Sequence, residues 1–153
     1  MDKLEVLKRS DLFHELDDEQ LKMVGALGTV QEFESGTILH KQGLIGDTVY
    51  VIEEGLVGII LEVGPMAQRQ VQSAANSQSF GWVAMIPPHT CTATSKTLER
   101  TKTISFSGQE LLGLCSREPE LGFKVLQALA CVISGRLRKA YIQLLGVTDA
   151  GTD

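Results

Sequence analysis

The sequence predicts a mainly β fold: a jelly-roll-like β-roll (a double-stranded β-helix) with N-terminal helices on one side and a long C-terminal helix on the other. Three observations carry this. Residues 28–106 hold many short β-favouring runs with glycine punctuation at near-regular spacing, as in a sandwich or roll. Residues before 28 carry a helix start followed by helical periodicity. Residues 107–146 are helical again, and the stretch from Pro119 to Leu145 has no internal proline. A single domain over residues 1–146 follows: N-terminal helices over 1–27, roll over 28–106, C-terminal helices over 107–146, then a tail over 147–153.

The elements can be justified in order. Asp17 with Gln20 three residues later forms a capping-box pattern, and Leu16 and Leu21 occupy hydrophobic-staple positions. Leu21, Val24 and Leu27 then share one helical face. In the middle region, strands are predicted over Thr37–Leu39, Thr48–Glu53, Leu56–Val63, Gln68–Ala74, Ala93–Thr97 and Lys102–Phe106. Glu54-Gly55 and Gly64-Pro65 break the runs, the latter as a hairpin turn. Ser107 and Glu110 form a second capping-box pattern, opening a helix to about Arg117, and Pro119 suits the first position of the next helix.

The totals bound the function. The chain has 153 residues, a net charge of −5, 43% apolar and 22% charged residues. That is the composition of a soluble globular domain, and an acidic balance argues against nucleic acid or an anionic membrane as partner. No run approaches the roughly 18 apolar residues of a membrane span, and Met1–Ser10 lacks a signal-peptide core. A cytoplasmic location is expected. Cys91, Cys115 and Cys131 are odd in number and widely spaced, which predicts three reduced thiols, two of them packed in helices.

The glycine pattern of the middle region resembles the cyclic-nucleotide-binding domain family, the sensor module of catabolite-activator (Crp/Fnr-like) regulators and of cyclic-nucleotide-gated channels. Glu34-Ser35-Gly36-Thr37-Ile38 is similar to the family's first glycine turn and strand. Gln42-Gly43, then Asp47-Thr48-Val49-Tyr50-Val51-Ile52 and Glu54-Gly55-Leu56-Val57, follow the next stretch almost position by position. Phe80-Gly81 matches the opening of the phosphate-binding cassette and Thr92-Ala93-Thr94 its close. The resemblance spans about residues 10–145 and implies a cassette built as a short helix entered through a glycine, with backbone N–H groups turned towards an anion.

The resemblance also shows what is missing. Family cassettes read Phe-Gly-Glu, and nine residues after the glutamate comes an arginine; the first accepts from the ribose hydroxyl, the second neutralises the cyclic phosphate. Here those positions are Trp82 and Cys91. A charge-assisted hydrogen bond contributes roughly 1.5–3 kcal/mol, so losing both weakens binding by about 3–5 kcal/mol, or roughly 10²–10⁴-fold. The degenerate cassette thus comprises Gly81, Trp82, Cys91, Thr92 and Ala93. Thr92 keeps a hydroxyl, and the site leaves room only for weak binding of a cyclic nucleotide or another small anion; no cofactor and no metal are implied. Trp82 is expected to fill the vacated ribose space, and Cys91 lacks the electropositive setting of a reactive thiol. Aligning Arg136-Leu137 with the family's Arg-Leu pair puts the base-contacting positions at Ala140 and Tyr141.

On the long helix, Leu126, Leu129, Ile133, Ala140 and Leu144 recur at spacings near 3.5, widened by Val125, Val132 and Leu137. This stripe predicts a homodimer seam, which the resemblance also implies. Arg136, Arg138 and Lys139 read as a solvated basic face. Seven residues follow Gly146, too few for the helix-turn-helix of activator-type regulators, so a stand-alone module without direct DNA contact is expected. The function read from these features is a regulatory signal-sensing domain and not an enzyme, with cyclic AMP or cyclic GMP binding weak or lost. The alternative is a ligand-free dimeric scaffold that engages a protein partner. A cupin-type enzyme, remote in any case, would need clustered ligands, and His14, His40 and His89 are scattered.

Overall fold

The structure, a computed structural model, describes residues 2–146. The expected tail, residues 147–153, lies outside the described residues. Helices α1 (Lys3–Arg9) and α2 (Asp18–Gly25) precede eight strands, and α3 (Gly108–Arg117) and α4 (Pro119–Leu144) follow them. The strands are β1 (Thr29–Phe33), β2 (Ile38–His40), β3 (Thr48–Glu54), β4 (Val57–Gly64), β5 (Ala67–Ala74), β6 (Ser79–Phe80), β7 (Thr94–Thr97) and β8 (Thr101–Ser107). They form two four-stranded sheets, β1-β8-β3-β6 and β2-β7-β4-β5, with every pairing antiparallel. This is the predicted β-roll with flanking helices.

The helix starts follow their side chains. The Asp17 carboxylate accepts from the Gln20 backbone N–H at 2.8 Å, and the Gln20 side chain accepts from the Asp17 N–H at 3.0 Å, a complete capping box. At α3 only one arm forms: the Ser107 hydroxyl accepts from the Glu110 N–H at 3.2 Å. Gly122, at the start of α4, lies against the Cys115 carbonyl and leaves no room for a β-carbon, so α3 and α4 pack closely there.

Strand β3 joins two cores. Four consecutive residues, Val49 to Ile52, are buried, and alternate side chains leave opposite faces of the strand. Val49 and Val51 enter a core with Leu7, Phe13, Phe106, Leu111 and Val125, between the roll and the helices. Tyr50 and Ile52 face the roll interior with Val57, Ala74 and Phe80. Phe13 and Phe106 meet edge-to-face at 5.4 Å, which ties the N-terminal segment to β8.

Helix α4 departs from the sequence reading at Leu129. Leu129 is 4% exposed and sits with Leu121 and Val125 in the chain's own core, and Ile133 packs partly against it. Leu129 lies four residues after Val125 and eight after Leu121, so it belongs to the inward stripe rather than to a dimer seam. Leu126 and Leu144 do face outward, with Phe123, Leu137 and Tyr141.

Candidate functional site

Strand β6 pairs with β3, Tyr50 opposite Phe80 and Val51 opposite Ser79, and delivers the chain to Gly81. Gly81 has φ 82°, and a β-carbon there would stand 2.5 Å from His40 Cε1 and 2.6 Å from the Thr48 carbonyl oxygen. Only glycine fits this left-handed turn between two packed groups. The cassette that follows is a single 3-10 turn, Trp82–Met85, rather than an α-helix. Residues Ile86–Ala93 then return to β7. His89 Nδ1 donates to the Val83 carbonyl at 2.8 Å, and the Gly46 N–H donates to the His89 carbonyl at 2.8 Å. The Cys91 N–H donates to Leu44, and the Cys91 carbonyl accepts from Gly43, each at 2.8 Å. The return loop is thereby laced to residues 43–46.

Behind the cassette lies a cavity of about 290 Å³. Gly81, Trp82, Cys91, Thr92 and Ala93 all line it, so the structure brings the five cassette candidates together. Ile59 and Leu61 of β4, Val71 and Gln72 of β5, and Phe80, His40 and Ser95 complete most of its wall. The Gln42 side chain positions β4 by pairing with both backbone groups of Glu62, donating at 3.0 Å and accepting at 2.9 Å.

Trp82 does not fill the space as expected. Its indole N–H donates to the buried Ser79 hydroxyl at 2.8 Å, which turns the ring against the wall and leaves the cavity beside it. Over the ring, 4.8 Å from its centroid, lies the guanidinium of Arg136. Arg136 also reaches Gln72 Oε1 and the Ser79 carbonyl, both at 3.4 Å, while Gln72 Nε2 donates to the Arg136 carbonyl at 3.0 Å. Burial lowers the Arg136 pKa, opposed by the charge of Asp11. Asp11 in turn accepts from the Ser79 N–H at 3.1 Å, and burial raises its carboxyl above the usual range despite that bond and the Arg136 charge.

The sequence reading placed Arg136 on a solvated face; the structure corrects this. Arg136 is eleven residues after Val125 and seven after Leu129, on the inward stripe of α4. That periodicity was the available signal. The base-contact candidates stand apart from this cavity. Tyr141 is 56% exposed and does not line the cavity; Ala140 lines a neighbouring groove with Leu61, Val71 and Gln72. Arg136, one turn earlier, is the α4 residue that reaches the cavity.

Two further groups are held neutral. His40 Nε2 donates to the Thr48 carbonyl at 3.0 Å, and burial pushes the ring's pKa down. Burial, then the Asp47 charge, pushes the Cys91 thiol up, the reverse of what activates a thiolate. Cys115 is buried as well, but Cys131 is exposed, so only one helical cysteine is packed. Among the described residues no group of three His, Cys, Asp or Glu side chains could hold a metal ion, and no helix is long and apolar enough to cross a membrane.

The fold is thus a helix-flanked β-roll with a glycine-entered cassette turn and a cavity between that turn and the last helix. The chain belongs to the cyclic nucleotide-binding domain family, whose model matches residues 30–118. It is 27% identical over 148 residues to a protein of Rhodopseudomonas palustris described as a potassium channel, covering 97% of this chain and 35% of that one. It is 23% identical to the cyclic AMP receptor protein of Thermus thermophilus, over 90% of this chain and 62% of that one. The crystal structure of a cyclic nucleotide-binding domain from Methylobacillus flagellatus superposes with a TM-score of 0.82 at 22% identity, covering 94% and 81% of the two chains. The chain spans between about a third and three fifths of the length of the curated relatives it matches.

Proposed function

We propose that the chain is a regulatory sensing domain whose cavity binds cyclic AMP and cyclic GMP weakly or not at all. One observation carries this reading. The cavity wall holds no carboxylate, and its single cation comes from α4 rather than from the return loop. At the cassette positions where the family's ribose and phosphate contacts fall stand an indole committed to Ser79 and a neutral buried thiol. Regulatory sensing is supported by the relatives, which include a cyclic AMP receptor protein and the regulatory subunit of a cAMP-dependent protein kinase.

In this reading two copies pair through α4. Phe123, Ala130, Leu137 and Leu144 repeat every seven residues, with Leu126, Ile133 and Ala140 three residues after the first three of them. That is an a/d heptad pattern, and all four of its leading positions are exposed. The free thiols fit a reducing, cytoplasmic setting, and the net charge of −5 favours protein or small-molecule partners over nucleic acid. Calorimetric titration tests the central claim: dissociation constants weaker than ~100 μM are expected for both nucleotides, and tighter binding of either overturns it.

A further inference from the structure

The geometry points to a different ligand class for this cavity: we propose a small, flat, largely apolar carboxylate, its anionic group held by Arg136 and its body lying in the pocket beside Trp82. The inference rests on the sensing role proposed above and names what would be sensed.

The argument starts from Arg136. A guanidinium has five N–H donors in a planar fork, and burying it without good acceptors is costly. Here it makes two long contacts of 3.4 Å to neutral oxygens and one face contact with an indole. N–H···O bonds cluster near 2.9–3.0 Å, so both contacts are weak, and much of the fork remains available. No carboxylate forms an ion pair with it among the described residues, and Asp11 acts on it only through the field. A carboxylate is the planar, bidentate partner that this fork matches best, and desolvation strengthens such a pair.

The walls choose the rest of the molecule. Ile59, Leu61, Val71 and Ala93 offer neither donors nor charge. Polar partners for the sugar hydroxyls and ring nitrogens of a nucleotide are few, chiefly Gln72, Thr92 and Ser95, whereas an aryl or branched alkyl body would gain by burial against the apolar side chains. The volume of about 290 Å³ lies at the lower edge of ordinary ligand pockets. The Trp82 face, already polarised by the Arg136 cation, suits a flat ring edge.

Trp82 is the chain's sole tryptophan and lines the cavity, so it reports binding directly. Phenylacetate, phenylacetamide and cyclic AMP would each be titrated against the intact chain while its emission is followed. A saturable change with phenylacetate, at least ten times tighter than with the amide, is expected, together with a loss of tenfold or more in Arg136→Gln. The acid–amide comparison needs no variant and so survives a folding defect in Arg136→Gln. Equal affinity for acid and amide, or no saturable response to either, overturns this proposal and leaves the sensing reading standing. Tight cyclic AMP binding instead overturns the reading on which it rests.

Discussion

The guanidinium of Arg136 stands 4.8 Å from the centroid of the Trp82 ring, so the last helix and the cassette turn meet in a cation–π pair. Behind that pair the indole N–H is bound to Ser79, and Ser79 is bound through its backbone to Asp11 of the N-terminal segment. One chain of contacts thus connects the segment between α1 and α2, the cassette and α4. In a sensing domain this is where a ligand can be felt by the helix, because anything that takes Arg136 from Trp82 alters the contact of α4 with the roll.

The Trp82–Ser79 hydrogen bond should be measurable as a coupling. Ser79 is fully buried, and Trp82→Phe leaves its hydroxyl without the indole donor. Loss of the bond costs about 1 kcal/mol, and more, up to about 3 kcal/mol, to the extent that the hydroxyl's remaining interaction with Asp11 does not satisfy it. Trp82→Phe should therefore lower stability by ~1–3 kcal/mol in urea unfolding followed by circular dichroism. The double-mutant cycle with Ser79→Ala should recover a coupling of about 1 kcal/mol. Additive losses would show that the two side chains do not act as a pair.

His40 makes the fold sensitive to acid. Its ring lies edge-on beside the stacked rings of Tyr50 and Phe80, at centroid distances of 5.4 and 6.1 Å, and gives its Nε2 proton to Thr48. Burial lowers its pKa, against smaller opposing effects of the Thr48 hydrogen bond and the Asp47 charge. The unfolded chain therefore binds the proton more readily than the folded one, and stability rises with pH across the gap. This contribution is complete above the ordinary histidine value of about 6.5 and is lost as pH falls towards the lower folded value. Asp11 has the opposite sign, since its carboxyl is raised by burial, so the readout is the difference between the parent chain and His40→Gln. That difference should shrink as the pH is lowered below about 6.5; a difference independent of pH would remove His40 as the sensitive group.

The fold was legible because its signals are local. The Asp17–Gln20 box, the β-branched run at Thr48–Ile52 and the glycine breaks each act within a few residues. Strand β1 escaped because it is an edge strand: Thr29 to Glu32 are exposed or nearly so, and no alternation marks them. The cassette residues were found through the resemblance, but Arg136 was not, because two neighbouring cations suggested a wet face. Its inward position is a property of helical phase over eleven residues, and its place over Trp82 depends on how α4 crosses the roll. That crossing is a tertiary fact, as is the outward turn of Tyr141, for which no local pattern speaks.

Helical phase also separates the two faces of α4, and this sets the last prediction. Leu121, Val125 and Leu129 are buried in the chain's own core. Phe123, Leu126, Leu137 and Leu144 are 66, 45, 50 and 84% exposed. A continuous apolar stripe of this kind on a helix surface marks a surface for association, and its heptad spacing is that of a coiled-coil seam with a second copy. The intact chain should sediment as a dimer. Because Phe123 and Leu137 contribute little to the monomer's core, replacing both with aspartate should leave the circular dichroism spectrum and the monomer's unfolding unchanged. The same change places charges against one another across the seam and should weaken association at least ~100-fold, about 2.8 kcal/mol. A parent chain that sediments as a monomer at high concentration, or a double variant that stays dimeric, would move the interface away from α4.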